Sequence, residues 1–178
     1  MEEKISAKTV WDEAARSGLI LGLFSAACLG LKEWASLSSS TFLVTAAAIV
    51  LWALEFFGCI FLMQRRMNKF YADYQGVTFR DVYVFGRRVA LLSGLILAAV
   101  NAGIIYLLPD ETMDAALAQV YSSMGSSMTA SMRDTMEGIV AKMPVYVFFF
   151  QWFYCFIYGT ILSAILSRRF ISKDIMDE

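Results

Sequence analysis

Glu55 is the residue in this chain whose chemistry most needs explaining. It lies in Val50-Leu51-Trp52-Ala53-Leu54-Glu55-Phe56-Phe57-Gly58, an apolar run with no other charge. Gln64 ends that run nine residues later, roughly 13 Å along a helix at ~1.5 Å per residue. Such a depth is close to the middle of a bilayer. A carboxylate there costs a few kcal/mol or more unless it is protonated, paired or open to a wet cavity. Intramembrane carboxylates mark proton, ion or substrate paths, and they also act as hydrogen-bonded glue between helices. Both readings stand open, as does pairing with a cation on a partner protein. Asn101 and Gln151 lie in two further apolar runs, and lipid offers neither a hydrogen-bond partner. Interhelical bonds of this kind are worth about 0.6 to 2 kcal/mol. Glu55, Asn101 and Gln151 together outline a polar thread through three helices.

Other reactive side chains are sparse. Cys28, Cys59 and Cys155 each fall alone in a different apolar run, with no CxxC pair. A thiol relay or cysteine zinc site is therefore not encoded locally, and such thiols pack as small hydrophobes. The chain has no histidine. That excludes an HExxH metal site, histidine-ligated haem, a histidine-dependent triad and an imidazole proton relay. Gly-rich phosphate loops and paired acidic metal motifs are also missing from the sequence. The expectation is a protein that is not an enzyme and carries no cofactor. Met124, Met128, Met132 and Met136 recur at a spacing of four. Thioethers so placed can bind Cu(I), but no Cys or His reinforces them, so the reading is an amphipathic stripe and no metal.

The elements that position these residues are four apolar stretches spanning about 14–31, 41–63, 89–108 and 145–166. A helix needs about 20 apolar residues to cross the ~30 Å hydrocarbon core. The first stretch reaches that length only if Ala14 to Arg16 are included. Hydrophobic residues make up 58% of the 178 and charged residues only 17%, too oily for a soluble domain of this size. The fold class expected is an all-α integral membrane protein: a single up-down bundle of four transmembrane helices, with an amphipathic helical outer loop.

Charge placement sets the orientation. Lys4, Lys8 and Arg16 precede the first stretch; Arg65, Arg66, Lys69, Arg80, Arg87 and Arg88 lie in the second link; Arg168, Arg169 and Lys173 follow the last. These are twelve of the fifteen basic residues. The first link adds a single Lys32, and the third is acidic, with Asp110, Glu111, Asp114, Asp134 and Glu137 against Arg133 and Lys142. The positive-inside rule then places both termini and the 64–88 linker in the cytoplasm and the 109–144 loop outside. Ser25-Ala26-Ala27-Cys28 resembles a lipoprotein cleavage site, but Asp12 and Glu13 are foreign to a signal peptide. A net charge of −1 gives no field for nucleic acid; the lipid bilayer is the expected partner, with a further membrane or cytoplasmic protein and a homodimer left open.

Two faces carry small residues at a spacing of four: Gly18, Gly22, Ala26 and Gly30 in the first stretch, and Ala90, Gly94, Ala98 and Ala102 in the third. Each lets another backbone approach closely. The expected use is packing inside the bundle, with a homodimer seam as the alternative and mutual contact of the two faces allowed. Nine of the fourteen residues from Val145 to Tyr158 are aromatic; Tyr146 and Trp152 suit the headgroup boundary, and the rest read as lipid-facing bulk or a stacking surface for a hydrophobic ligand. In the outer loop, Asp110 can cap one helix and Pro144 can open the last. Gly125-Ser126-Ser127 can divide the loop into two helices, whose Met stripe would lie on the membrane or over the bundle's outer mouth. Thr78-Phe79-Arg80-Asp81 has the form of a capping box opening a short juxtamembrane helix, with Tyr83 and Phe85 at the interface.

Length, four spans, a Gly-rich first helix, the linker Tyr74-Gln75-Gly76-Val77-Thr78-Phe79 and the long helical outer loop together resemble the bacterial domain-of-unknown-function family 4199. The resemblance covers nearly the whole chain and implies a four-span inner-membrane protein. It supplies no catalytic residue or cofactor. Some relatives are expected beside polyprenyl-phosphate sugar transferases, which implies a place in envelope biogenesis. The function expected is a non-enzymatic inner-membrane accessory or scaffold. The alternative is a small proton- or cation-coupled transporter or flippase-like carrier that uses Glu55.

Overall fold

The structure is a computed structural model and describes residues 6–36, 41–74, 76–107, 110–124 and 129–176. Six α-helices follow one another: α1 (Ala7–Ser36), α2 (Thr41–Asp73), α3 (Phe79–Leu107), α4 (Asp110–Met124), α5 (Ala130–Ala141) and α6 (Met143–Met176). No strand occurs among the described residues. Helices α1, α2, α3 and α6 are long and apolar enough to cross a membrane.

These four helices outrun the apolar stretches at their centres. They contain 30, 33, 29 and 34 residues, or roughly 45 to 50 Å each at ~1.5 Å per residue. Nothing stops them earlier, because the only two prolines are Pro109 and Pro144, and Pro144 sits in the first turn of α6, where its missing N–H costs nothing. Lys32, expected in a link, is therefore helical, as are residues 64–73 and 79–88 of the linker. The turn between α2 and α3 holds Gly76 at φ +72°, a left-handed conformation that favours glycine.

Thr78 opens α3. Its backbone N–H and its hydroxyl both donate to the Asp81 carboxylate, at 3.1 and 2.7 Å. This is the reach-back half of a capping box, and it starts one continuous helix through Arg87-Arg88 to Leu107 rather than a short separate one.

Helix α3 is the hub. It packs extensively along α6 and α1, and α1 packs along α2; α2 meets α3 and α6 only briefly. Gly18 lies against Leu92 and Gly22 against Ile96, so α1 and α3 run the same way. Gly86 faces Ser163, Ala90 faces Gly159 and Gly94 faces Cys155, so α3 and α6 run opposite ways. The two small-residue faces thus turn to different partners: that of α1 meets larger residues of α3, while Ala90 and Gly94 meet small residues of α6. A Cβ on Gly30 would meet nothing within 4 Å among the described residues of the neighbouring helices.

Tight packing is concentrated at the basic end. Val10 and Ala14 of α1, Met63, Met67 and Phe70 of α2, Val82, Phe85 and Val89 of α3, and Leu166 and Phe170 of α6 form one buried cluster. Phe85 stacks on Phe70 with centroids 4.3 Å apart and is 1% exposed, so it is core and not an interface residue as its position beside Arg87 suggests. At the other end the described part of α2 has no buried residue before Met63. Phe149, Phe150, Phe153 and Tyr154 of α6 are all exposed.

The outer loop is helical but does not close the bundle. Among the described residues, the backbone of α4 closely approaches no other helix and that of α5 approaches only α6. Met132 is exposed and Met136 half-buried, so this half of the stripe covers little. The side chains of Asp110 and Met124, and all of Met128 and Gly125-Ser126-Ser127, lie outside the described residues.

Candidate functional site

Side chains on an α-helix lean toward its N-terminus. Helices α1 and α2 run in opposite directions, with Ser25 beside Cys59 and, further along α1, Lys32 beside Glu55. Lys32 therefore leans back along α1, and Glu55 leans along α2 to meet it. The Lys32 ammonium donates to the Glu55 carboxylate in a direct ion pair. Both side chains are mostly enclosed, 26% and 22% exposed. Glu55 is neither an isolated acid nor part of the expected thread.

That thread does not form. Gln151 donates to Cys155 Sγ one turn along its own helix, at 3.4 Å. Asn101 is half-buried toward the outer end of α3, and neither residue is brought to Glu55. The carboxylate instead has its cation within the chain. The sequence signal was the four-residue step from Cys28 to Lys32, legible only once α1 is known to continue past Leu31.

Directly beyond the pair lies a half-open cavity of about 70 Å³. All four long helices line it. Leu21 and Ser25 come from α1, Cys59 and Met63 from α2, Ser93 and Leu97 from α3, and Cys155, Tyr158 and Leu162 from α6. Glu55 and Cys59 are one turn apart on α2, so the ion pair stands roughly 6 Å along the axis from the nearest cavity residue.

The cavity is mainly apolar with a few weak polar groups. Ser25 Oγ and Cys59 Sγ are 3.3 Å apart and share a hydrogen bond. The Ser93 hydroxyl donates back to the Ala90 carbonyl at 3.2 Å, so it is satisfied within its own helix. Trp152 Nε1 donates to the Leu91 carbonyl at 3.3 Å and pins α6 to α3. Among the described residues, the side facing the brief α2–α6 contact has no comparable tie; Phe56 and Tyr158 meet there with ring centroids 6.1 Å apart.

A second polar group of residues gathers at the basic end. The Arg88 guanidinium lies over the Trp11 ring, 4.5 Å from its centroid, a cation–π contact that joins α1 to α3. Tyr74 packs on Phe70 with centroids 5.2 Å apart. Burial, with help from the Glu13 and Asp73 carboxylates and against Arg16, pushes its phenol above the ordinary range. These contacts close the bundle and form no reactive constellation. Among the described residues, no three acidic, cysteine or histidine side chains gather as a metal site.

The site is thus an ion pair capping an apolar, four-helix cavity with one weakly closed flank. It can hold a hydrophobic group beside a pair of opposite charges, and it offers no activated nucleophile. Comparison of the chain with protein-family models, curated proteins and solved structures gave no match.

Proposed function

We propose that this chain is a non-enzymatic, multi-pass protein of the bacterial inner membrane that serves a larger process, such as envelope biogenesis, as an accessory or scaffold subunit. In this reading α1, α2, α3 and α6 cross the bilayer as an up-down bundle, with both termini and the α2–α3 turn in the cytoplasm. The alternating directions of the packed helices and the twelve clustered basic residues support that arrangement. Membership of the domain-of-unknown-function family 4199 belongs to the same proposal.

One observation carries the accessory role: the closed basic end stands against exposed, aromatic outer halves of α2 and α6 that the described chain leaves uncovered. A partner's transmembrane helix fits that flank. Purification from native membranes in mild detergent, with mass determination, tests this. A stoichiometric second protein supports the role; a clean homo-oligomer opposes it.

The second reading, a small proton- or cation-coupled carrier, is favoured by one feature, the placement of Glu55 beside the cavity. Its pairing with Lys32 already gives the carboxylate a cation within the chain, which argues against that reading. Glu55→Gln should then abolish cellular function in a carrier and spare it in a scaffold.

A further inference from the structure

Resting on the membrane placement proposed above, we infer that α5 is an interfacial helix. Its apolar stripe lies on the outer leaflet among zwitterionic lipid heads, as a continuation of the face that α6 turns to the bilayer. Continuity of that face singles out lipid as the occupant.

The apolar residues of α5 and the start of α6 keep one line. Met132, Met136, Ile139, Met143, Tyr146 and Phe150 follow one another at steps of four and three throughout. Such steps hold residues on one slowly drifting side of a helix. Met136 is half-buried and the other five are exposed. Ser131 and Asp134 take the opposite side of α5 and are also exposed. The phase carries across the joint because Lys142 keeps helical hydrogen bonds on both sides. Its N–H donates to the Ile139 carbonyl, and its own carbonyl accepts from the Val145 and Tyr146 amides, each at 3.1 Å.

The direction of α5 completes the placement. Lys142, at φ −102° and ψ 4°, departs from helical values, so the axis bends there. Beyond the joint, the backbone of α5 approaches no helix but α6 among the described residues. It therefore does not lean over the mouth of the bundle. A bend to the other side lays the stripe on the headgroup layer, at the level where Tyr146 suits the boundary. A helix of 12 residues is marginal in water alone, and an apolar surface under its stripe supports it.

Charge selects the kind of lipid. The loop carries Asp110, Glu111, Asp114, Asp134 and Glu137 against Arg133 and Lys142. It lacks the basic face that draws amphipathic helices to anionic membranes. Contact therefore rests on apolar area and on the tether to α6, and anionic heads are disfavoured.

The test uses bimane on single cysteines, Met132→Cys and Ile139→Cys on the stripe and Ser131→Cys and Asp134→Cys opposite. Each is placed in a full chain carrying Cys28→Ala, Cys59→Ala and Cys155→Ala, in phosphatidylcholine vesicles. Quenching by a nitroxide high on the lipid chain is compared with quenching by aqueous iodide. The lipid-to-iodide ratio should be about fivefold higher at the two stripe positions than at the two opposite ones. Replacing half the lipid with phosphatidylglycerol should not raise it.

Equal ratios at all four positions overturn the placement, and so does shielding of the stripe from both quenchers, which shows a protein cover. A ratio that rises with phosphatidylglycerol overturns the lipid assignment. Should the cysteine-free chain fail to fold, hydroxyl-radical oxidation of Met132 in the wild-type protein, at one chain per vesicle, decides instead. Met132 should react about fivefold more slowly than a methionine peptide added outside; equal rates overturn the placement. Extraction of the protein from native membranes by alkaline carbonate would overturn the membrane reading itself. Resistance to carbonate with a water-exposed stripe would overturn only the placement of α5.

Discussion

The basic end and the outer end of this bundle are built from the same four helices and are packed in opposite ways. At the basic end, Met67, Val82, Phe85 and Val89 are 1% exposed or less, and residues from all four helices interlock. At the outer end α2 and α6 present Trp52, Phe57, Phe149 and Phe153 to their surroundings. In the membrane placement proposed above, the difference follows from the solvent each end meets. Helix segments that project beyond the hydrocarbon core are held by burial of apolar area from water. Inside lipid that drive vanishes, and helices stay together only through close contact and polar bonds. The outer ends have few such contacts besides the Lys32–Glu55 pair, so side chains that would otherwise be a core are left for lipid or a partner.

The sharpest way to break this contrast is at Phe85, which is stacked on Phe70. Phe85→Ala removes a ring from the centre of the closed end and should destabilise the fold by about 3 kcal/mol, the lower part of the range for such truncations. Thermal unfolding in detergent measures it. If Phe85→Ala proves no worse than truncating an exposed outer aromatic, the basic end is not the anchor of the bundle.

The α3–α6 seam should give the next largest effect. A Cβ on Gly159 would overlap the Ala90 Cβ, with the Ala90 Cα only 3.4 Å away. The Ala90 Cβ, fixed to its backbone, blocks the way and cannot swing aside as a side-chain tip would. Gly159→Val should cost about 2 to 3 kcal/mol through forced separation of the helices. Gly30→Ala, where nothing lies within 4 Å, provides the control and should be near neutral.

The ion pair is where the outer end can be made to fail. Lys32→Met leaves the Glu55 carboxylate without its cation. Removing one member of a fully buried pair costs ~3–5 kcal/mol, but both groups are about a quarter exposed, so about 2 kcal/mol is expected. Lys32→Met/Glu55→Met should recover most of that loss, because two apolar side chains carry no desolvation cost. A double variant as unstable as the single one would show that the pair contributes more than mutual neutralisation.

Much of this architecture was legible from hydropathy alone, and the reason is physical: apolar length fixes where a helix can sit in lipid. The four long apolar helices, the helical character of the 109–144 loop and the capping residues Thr78 and Asp81 all follow from local chemistry. Helix rotation was not legible. Glu55, Asn101 and Gln151 share a plausible depth, yet which of them meet depends on the azimuth of each helix, and a spacing pattern leaves that azimuth open. Lys32 was hidden for a related reason. A charged residue at the end of an apolar run reads as a link, whereas here it continues the helix and leans inward. Phe85 was misplaced because its neighbours Arg80, Arg87 and Arg88 suggest a surface, while its periodicity with Val82 and Val89 marks the buried face.

Smaller effects sharpen the contrast further. Ser163 is fully buried opposite Gly86, and its hydroxyl has no partner among the described residues. Ser163→Ala removes an unsatisfied group and should stabilise the closed end by about 1 kcal/mol. Phe153→Ala is the counterpart at the open end. That ring is 62% exposed, so its removal changes little inside the folded chain, and the monomer in detergent should shift by less than about 0.5 kcal/mol. The informative measurement is the same substitution in the native membrane. If a partner helix covers the α2–α6 flank, Phe153→Ala should weaken co-purification of that partner while leaving monomer stability intact. A variant that loses monomer stability would instead place Phe153 inside a fold more closed than this one, and the two ends would no longer differ.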